Sequence, residues 1–194
     1  THTHPWYSSP QPIPAWDANS KLLMTYTDGS CTKTPEGNKC AAAVFVMASR
    51  TATTIDPNGQ GLTNTINRAE LAGIWGALSK VIPTSSPAHI LTDSLGSLLQ
   101  IHKYLLAPRL FTWHPHRLVL SAIAQCIMQR HQAGSHTSLS KVKAHIGVEG
   151  NEQADMYANT ARDTGNTAYT MDIPNSPYAS LYCCLLYTSP SPRD

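Results

Sequence analysis

Four acidic residues lie beside small polar residues, in settings where a carboxylate could do chemistry. They are Asp28 in Thr-Asp-Gly-Ser, Glu70 in Asn-Arg-Ala-Glu-Leu, Asp93 in Thr-Asp-Ser and Asp155 in Asn-Glu-Gln-Ala-Asp. Carboxylates that converge repel one another and raise one another's pKa. A cluster of such oxygens suits a hard divalent cation, and Mg²⁺ is typically bound by carboxylates, waters and substrate phosphates. Two such ions about 3.5–4 Å apart form a clamp for in-line phosphodiester cleavage.

Each acidic residue also has a purely structural interpretation. Asp28 followed by Gly is a common hairpin-turn pair, and the segment ending at Glu70 has the spacing of a helix capping box. Asp93 could cap the helix that follows it, and Asp155 could lie on a solvated helix face. The joint arrangement favours the functional interpretation, because Asp28 and Asp93 both end predicted strands. Strand carboxyl ends border the usual site crevice of an open α/β sheet.

The predicted secondary structure changes from strands to alternating helices and strands. Alternation and apolar runs predict the strands, and apolar residues at helical spacing predict the helices. This order predicts an α/β domain over residues 21–166, with a mixed sheet flanked by helices. The predicted strands cover 21–28, 40–48, 59–66, 89–93 and 139–143, and the predicted helices cover 68–82, 94–106, 117–132 and 150–163.

The composition is that of one globular domain with tails. The chain has 194 residues, of which 41% are hydrophobic and 13% charged, and its formal net charge is +2. This charge content is about half of the usual 25% and excludes a coiled coil, a highly charged disordered chain and a strongly basic DNA-packaging protein. The longest apolar run, Ala41–Ala48, is too short for a bilayer, which needs about 20 residues. No membrane association is therefore expected.

The ends of the chain and its cysteines bear on its context. Residues 1–20 are rich in proline and are interpreted as a linker or the end of an upstream region. Residues 167–194 are interpreted as an irregular tail, whose last eleven residues resemble translated sequencing-adapter sequence; the alternative is a genuine disordered tail. Five cysteines without a C-x-x-C pair disfavour a disulfide framework and favour an intracellular protein, cytoplasmic or nuclear.

Taken in order, the motifs resemble the signature of the type 1 ribonuclease H family. The resemblance covers about residues 21–163. It implies a five-stranded mixed sheet flanked by helices, and hydrolysis of the RNA strand of an RNA–DNA hybrid with two Mg²⁺ ions, for which Mn²⁺ could substitute. The expected product ends are 5′-phosphate and 3′-hydroxyl. The motifs are Thr27-Asp28-Gly29-Ser30-Cys31, Asn67-Arg68-Ala69-Glu70-Leu71, Thr92-Asp93-Ser94 and His145-x5-Asn151-Glu152-x2-Asp155.

The same resemblance assigns roles to the acidic residues and to one histidine. Asp28 would bridge both metals, while Glu70 and Asp93 would complete one metal site. Asp155 would hold the metal that activates the attacking water. His145 would assist proton transfer or product release, for which a pKa near neutrality is suited. The structural alternative for His145 is a loop histidine bonded to backbone.

Substrate contacts are expected from residues beside the acids and from one loop. A protein that distinguishes RNA from DNA must read the 2′-hydroxyl, and stacking surfaces and cations grip the other strand. Asn151 would orient the loop or nearby ligands. The structural alternative for the aromatic residue is an ordinary half-buried loop tryptophan. The candidate substrate-binding residues are Ser30, Cys31, Asn67, Asn151, Trp113 and Arg117.

Two observations limit the resemblance. Leu95 follows the Asp-Ser pair where family members often carry Gln, and no basic cluster lies between the second and third predicted helices. The leading hypothesis is an active enzyme attached to an upstream reverse transcriptase domain of a retroelement, or a cellular enzyme. The alternatives are a catalytically silent module that binds hybrid or RNA, and another nuclease or strand-transfer enzyme of the same superfamily. The oligomeric state is left open.

Overall fold

The computed structural model describes residues 24–143 and 147–175, which form one mixed sheet with helices on both faces. Its six strands are arranged in the order β5-β4-β1-β2-β3-β6. The strands are β1 (Met24–Thr34), β2 (Gly37–Val46), β3 (Thr51–Asp56), β4 (Ala88–Thr92), β5 (Thr137–Lys141) and β6 (Tyr169–Thr170).

Four α-helices pack on this sheet. The first continues into a π-helical turn over Ala77–Val81, and short 3₁₀ turns cover Gly61–Thr63 and Pro108–Phe111. Within the described ranges, no helix is both long and apolar enough to cross a membrane. The helices are α1 (Ile66–Gly76), α2 (Leu95–Leu106), α3 (Arg117–Gln132) and α4 (Glu149–Thr164).

The central strand β1 pairs with β2 in antiparallel orientation and with β4 in parallel orientation, which makes the sheet mixed. Successive side chains of a strand face opposite sides, and each side of this sheet has its own buried cluster. Val44 and Ile90 face the larger cluster, under α1, α2 and α3. Their neighbours Phe45 and Leu91 face the smaller cluster, which Ala154 of α4 completes. The sheet is therefore a buried layer with α4 on one side and the other helices opposite.

The predicted α/β class with a mixed, helix-flanked sheet is confirmed, but the expected number of five strands is wrong. The sixth strand, β6, pairs in parallel with the edge strand β3, in a segment interpreted from sequence as tail. Beyond it, Met171 is fully buried and Ile173 nearly so, in the larger core cluster. The Met171 amide donates to the Asp56 carbonyl at 2.8 Å. These apolar side chains explain why the ordered fold extends past residue 166.

Two further elements differ from the prediction. The third strand covers Thr51–Asp56 rather than 59–66, because Pro57 and Asn58 break the ladder and Asn58 has a positive φ of 50°. The first strand runs on to Thr34, beyond its predicted end at residue 28, since the hairpin turns only at Pro35 and Glu36. Asp28 consequently lies inside β1 rather than at its end.

The cysteine pattern disfavours a disulfide framework, but the structure contains one disulfide. Cys31 of β1 and Cys40 of β2 are direct cross-strand partners, and they form a disulfide. Their pairing follows from the register of the hairpin, which sets which side chains meet across it. Cys126 is a free, half-buried thiol whose pKa is raised by burial. Cys183 and Cys184 lie outside the described residues.

Candidate active site

The parallel pairing of β1 and β4 brings two acidic residues to one place. The last residue pair of this ladder joins Thr27 to Thr92, so Asp28 and Asp93 are the next residues on each strand. Asp28 is 5% exposed, and Asp93 is half-buried just before α2. The two side chains therefore meet at the carboxyl end of β4, where the strand-end argument holds for Asp93 but not for Asp28, which lies inside β1.

A third carboxylate reaches this place because Gly29 lets α1 approach the sheet. A Cβ at Gly29 would lie only 2.5 Å from the Glu70 backbone nitrogen, so no larger residue fits without moving the helix. The start of α1 is capped by Thr65, whose side chain accepts a hydrogen bond from the Arg68 amide. The capping-box interpretation of Glu70 is thus wrong, since another residue caps the helix and Glu70 turns inward.

Asp28, Glu70 and Asp93 form a compact group that could hold a metal ion. One ligand oxygen from each lies within 4.8 Å of the others. Glu70 is 8% exposed, and its Oε2 atom is buried without a hydrogen-bond partner. A buried acceptor without a donor is costly, and several carboxylates of like charge make it more so. The donor set is all oxygen, which fits Mg²⁺ or Mn²⁺.

The carboxyl groups raise one another's pKa. Burial, followed by the charges of Asp28 and Asp93, raises the pKa of Glu70 to about 9. Burial, followed by the charges of Asp93 and Asp155, raises the pKa of Asp28 to about 7. The folded chain therefore disfavours the fully ionised cluster unless a positive charge joins it. Strongly perturbed carboxyls gathered at one point are a recognised mark of functional sites.

The fourth acidic residue, Asp155, approaches from α4. Its carboxyl lies near enough to Asp28 to raise the pKa of that residue. Helix α4 can lie close to the sheet because its inner face is made of small residues, of which Ala154 and Ala158 are fully buried. Gly150 adds to this, since a Cβ there would overlap the Tyr26 ring at 2.2 Å. All four predicted carboxylates thus lie on elements that converge on the end of β4.

The predicted substrate-contacting residues divide into two groups. Near the acids, Asn151 is buried on α4, and its Nδ2 donates to Asp93 Oδ2 at 3.3 Å, which suits the expected orienting role. Ser30 is buried with its hydroxyl bonded inside the protein, and Cys31 has no thiol to offer because it is in the disulfide. Asn67 is exposed in the first turn of α1.

The second group lies on the connection between α2 and α3. Trp113 is 53% exposed in the turn after Pro108–Phe111, and Arg117 is exposed at the first residue of α3. They belong to different elements from the four carboxylates. His145 lies outside the described residues, so its predicted role stays a prediction.

Sequence reasoning missed two polar residues of α4 that bear on the site. Asn159 Nδ2 donates to Asp155 Oδ1 at 2.9 Å, and Arg162 Nη1 donates to Asn159 Oδ1 at 3.0 Å. The signal was present in their spacing, because residues four and seven positions after Asp155 share its helix face.

A mixed sheet with buried carboxylates gathered beside its central parallel strands defines an α/β protein with a candidate divalent-cation site. The family model for RNase H matches residues 20–163, which is most of the chain, so the protein belongs to the RNase H family. Membership of this family supports a nuclease-type hydrolase that binds nucleic acid. A comparison with curated proteins found no match.

One solved structure with a similar fold is a foamy viral protease-reverse transcriptase in complex with dsDNA. The two chains share 18% sequence identity and superpose with a TM-score of 0.58. The similarity covers 74% of this chain and 97% of the viral one. At this identity the likeness concerns the fold alone.

Proposed function

We propose that this protein is an endoribonuclease that hydrolyses the RNA strand of RNA–DNA hybrids with two divalent metal ions. The observation that carries the proposal is the convergence of Asp28, Glu70 and Asp93, of which Glu70 is buried with one oxygen unpartnered. A silent binding module has no need for such a cluster, whose mutual repulsion lowers stability. Family membership supports the same class of reaction.

Each of the four carboxylates would bind one or both of the metal ions. Asp28 would contact both ions, Glu70 and Asp93 would hold one, and Asp155 would hold the other. When bound, the ions would stabilise charge on the scissile phosphate and lower the pKa of the attacking water. Attack by water in line with the P–O3′ bond would break that bond, so the 3′ oxygen would leave as a hydroxyl and the phosphate would stay on the 5′ side. Mg²⁺ is the proposed ion, with Mn²⁺ as a substitute.

The chain's other residues would orient these groups and the substrate. Asn151, buried beside the site, donates to Asp93 and holds that carboxylate in one direction. Glu70 and Asn67, on the first turns of α1, would read the 2′-hydroxyl that marks the RNA strand. Trp113 and Arg117 would contact the DNA strand by stacking and by charge. His145 would assist proton transfer or product release.

An upstream reverse transcriptase domain is the proposed partner in a longer chain. The support is the fold likeness to a protease-reverse transcriptase, together with the family match. The connection between α2 and α3 has no basic cluster, and a neighbouring domain would add phosphate contacts. Hybrid affinity of the chain alone should then be modest and fall with rising salt.

The test is cleavage of a labelled RNA–DNA hybrid by the full chain with Mg²⁺. Single-stranded RNA, duplex RNA and duplex DNA serve as substrate controls, and Asp28→Asn as the protein control. The proposal expects cleavage of the RNA strand of the hybrid alone, reduced at least a thousandfold in the variant. Hybrid binding without cleavage, unchanged by Asp28→Asn, would support the silent module instead.

A further inference from the structure

A hydrogen-bond network connects the Asp155 carboxylate to an arginine seven residues further along α4. Asn159 Nδ2 donates to Asp155 Oδ1 at 2.9 Å. Two groups hold the other end of that amide: Ser30 Oγ donates to Asn159 Oδ1 at 2.6 Å, and Arg162 Nη1 donates to it at 3.0 Å. We propose that Asn159, held by Ser30 and Arg162, is a positioning residue that fixes how Asp155 presents its carboxylate to a divalent cation.

The network allows only one orientation of the Asn159 amide. An arginine side chain has no acceptor, so the amide atom that faces Arg162 must be the oxygen. The amide nitrogen then points to Asp155, where it donates to Oδ1. Turning the amide over would set its NH₂ group against the guanidinium and its oxygen against a carboxylate. Arg162 therefore dictates that Asp155 receives a donor.

Arg162 is itself held in place from two directions. Its Nε and Nη2 atoms donate to the two carboxylate oxygens of Asp163 at 2.8 and 3.0 Å, which is a bidentate pair. Its Nη1 atom also donates to Ser30 Oγ at 2.8 Å, across to β1. The Arg162 side chain is 19% exposed, whereas that of Asp163 is 66% exposed. Two of the three guanidinium nitrogens thus bind Asp163, and the third, Nη1, binds Ser30 and Asn159.

The position of Ser30 ties the network to the site. Ser30 is two residues after Asp28 on β1, and it is 6% exposed. Its hydroxyl donates to Asn159 and accepts from Arg162, so the capacity expected to serve substrate is used inside the protein. Ser30 and Asp28 face the same side of the strand, as alternate residues do. The network therefore spans β1 and α4, the two elements that carry Asp28 and Asp155.

The consequence for metal binding follows from the donor. With one oxygen of Asp155 engaged by Asn159, its carboxylate keeps a single orientation and its second oxygen stays available to a cation. Without the donor, no hydrogen bond from Asn159 fixes the orientation of the Asp155 carboxylate. Residues that orient a metal ligand in this way typically change metal affinity or activity by about 10–100-fold when mutated. This inference rests on the proposed two-metal function, and Asn159 acts in it through Asp155 rather than on substrate.

The test compares Asn159→Asp with Asn159→Ala in the full chain. Asn159→Asp keeps the acceptor for Ser30 and Arg162 but cannot donate to Asp155 when ionised. It also adds a negative charge beside Asp155, whereas Asn159→Ala removes the donor without adding charge, so a loss shared by both variants reports the missing donor. Thr160→Ala is the matched control, because Thr160 is the exposed neighbour whose hydroxyl bonds only the Met156 carbonyl in its own helix. Arg162→Ala and Arg162→Lys form a second pair, in which lysine restores a donor.

Two readouts are made on each variant. The first is the Mg²⁺ concentration for half-maximal hybrid cleavage, beside the KM for hybrid at saturating Mg²⁺. The second is calorimetric titration with Mn²⁺ in the absence of substrate. Both Asn159 variants should need about tenfold more metal in each assay, with hybrid KM unchanged within twofold. Arg162→Ala should show a smaller loss that Arg162→Lys recovers, and Thr160→Ala should match the wild type.

Unchanged Mn²⁺ affinity in both Asn159 variants would overturn the inference, and a raised hybrid KM would instead make Asn159 a substrate contact. The calorimetry separates this inference from the proposed function. If the wild type binds Mn²⁺ but cleaves no hybrid, the proposed function fails while the Asn159 comparison still decides the positioning role. Urea melts of each variant identify any loss that comes from unfolding, and Asn159→Asp remains informative because it preserves the contacts to Ser30 and Arg162.

Discussion

Replacing Asp28 by Asn should stabilise the metal-free protein. The Asp28 carboxyl is 5% exposed, and burial together with Asp93 and Asp155 raises its pKa from 3.8 to about 7. An acid whose pKa is raised in the folded state binds more protons there than in the unfolded state. The wild type is therefore most stable below the pKa that Asp28 has in the unfolded state. It loses stability as the pH rises through the pKa that Asp28 has in the folded state. Asparagine has no charge to lose, and its Oδ1 can still accept from the Gly29 amide.

The size of the effect follows from the shift. About three pKa units at about 1.36 kcal/mol each give an upper value of about 4 kcal/mol at pH 8. Part of the repulsion persists among the remaining acids, so we expect a gain of about 2–4 kcal/mol in the free energy of unfolding. The gain should shrink by about 2–3 kcal/mol between pH 8 and pH 5, since Asp28 is then largely protonated in the wild type.

The assay is urea unfolding of wild type and Asp28→Asn in EDTA, at several pH values from 5 to 8. Asp172→Asn is the matched control, because Asp172 is exposed on the surface and should change stability by less than about 0.5 kcal/mol. Adding Mg²⁺ should stabilise the wild type and leave the variant nearly unchanged. The difference in free energy of unfolding between the two proteins should therefore become smaller or change sign. The prediction is wrong if the variant is less stable than the wild type at pH 8 without metal. It is also wrong if the difference in free energy of unfolding between the two proteins does not change with pH.

Three further outcomes follow from the same geometry. Glu70→Gln should abolish hybrid cleavage while hybrid binding, measured by fluorescence anisotropy, stays within about threefold; weaker binding by a larger factor would make Glu70 mainly a binding residue. Gly29→Ala should lose several kcal/mol in urea unfolding, because its Cβ would lie 2.5 Å from the Glu70 nitrogen, and a normal melt would show that α1 can move aside. Met171→Ala should lower the free energy of unfolding by about 2–5 kcal/mol, since Met171 is fully buried beyond β6. Tyr169→Ala should lower it less, because Tyr169 is exposed. Equal small losses in the two variants would contradict a structural role for this segment.

The convergence of the acidic residues could be predicted from the sequence because it depends on local signals. Asp28 and Asp93 each follow apolar strand residues, and parallel strands bring such positions to one edge. The change to helical periodicity likewise places Glu70 on a helix near its start. Both inferences need only the type and order of elements, which a strongly periodic chain reveals.

The features that were missed depend on pairing and on register. Cys31 meets Cys40 only because the hairpin turns at Pro35 and Glu36 rather than earlier, and no local pattern fixes that point. The strand β6 is two residues long, and its partner β3 is more than a hundred residues away in the chain. Met171 and Ile173 look like tail residues until the core they fill is known.

Buried arginine is the other feature that sequence alone concealed. Arg68, in the Asn-Arg-Ala-Glu motif, is fully buried and donates to the Pro57 and Ile173 carbonyls, each at 2.8 Å. The hydrogen bond to Ile173 connects the C-terminal segment to α1, the helix that carries Glu70. A charged residue inside a motif reads from sequence as a surface or substrate contact, since arginine is rarely buried without partners. Its carbonyl partners come from two loops that only the fold brings together.

In the proposed function, buried carboxylates hold divalent metal ions, and water attacks the RNA strand. A Mg²⁺ titration of the metal-free full chain on a hybrid with end-labelled RNA, with the product ends identified, tests this proposal. We expect no cleavage in EDTA, cleavage restored by Mg²⁺, and products with 5′-phosphate and 3′-hydroxyl ends. Cleavage that persists in EDTA, or fragments that end in cyclic phosphate through attack by the 2′-hydroxyl, would contradict it.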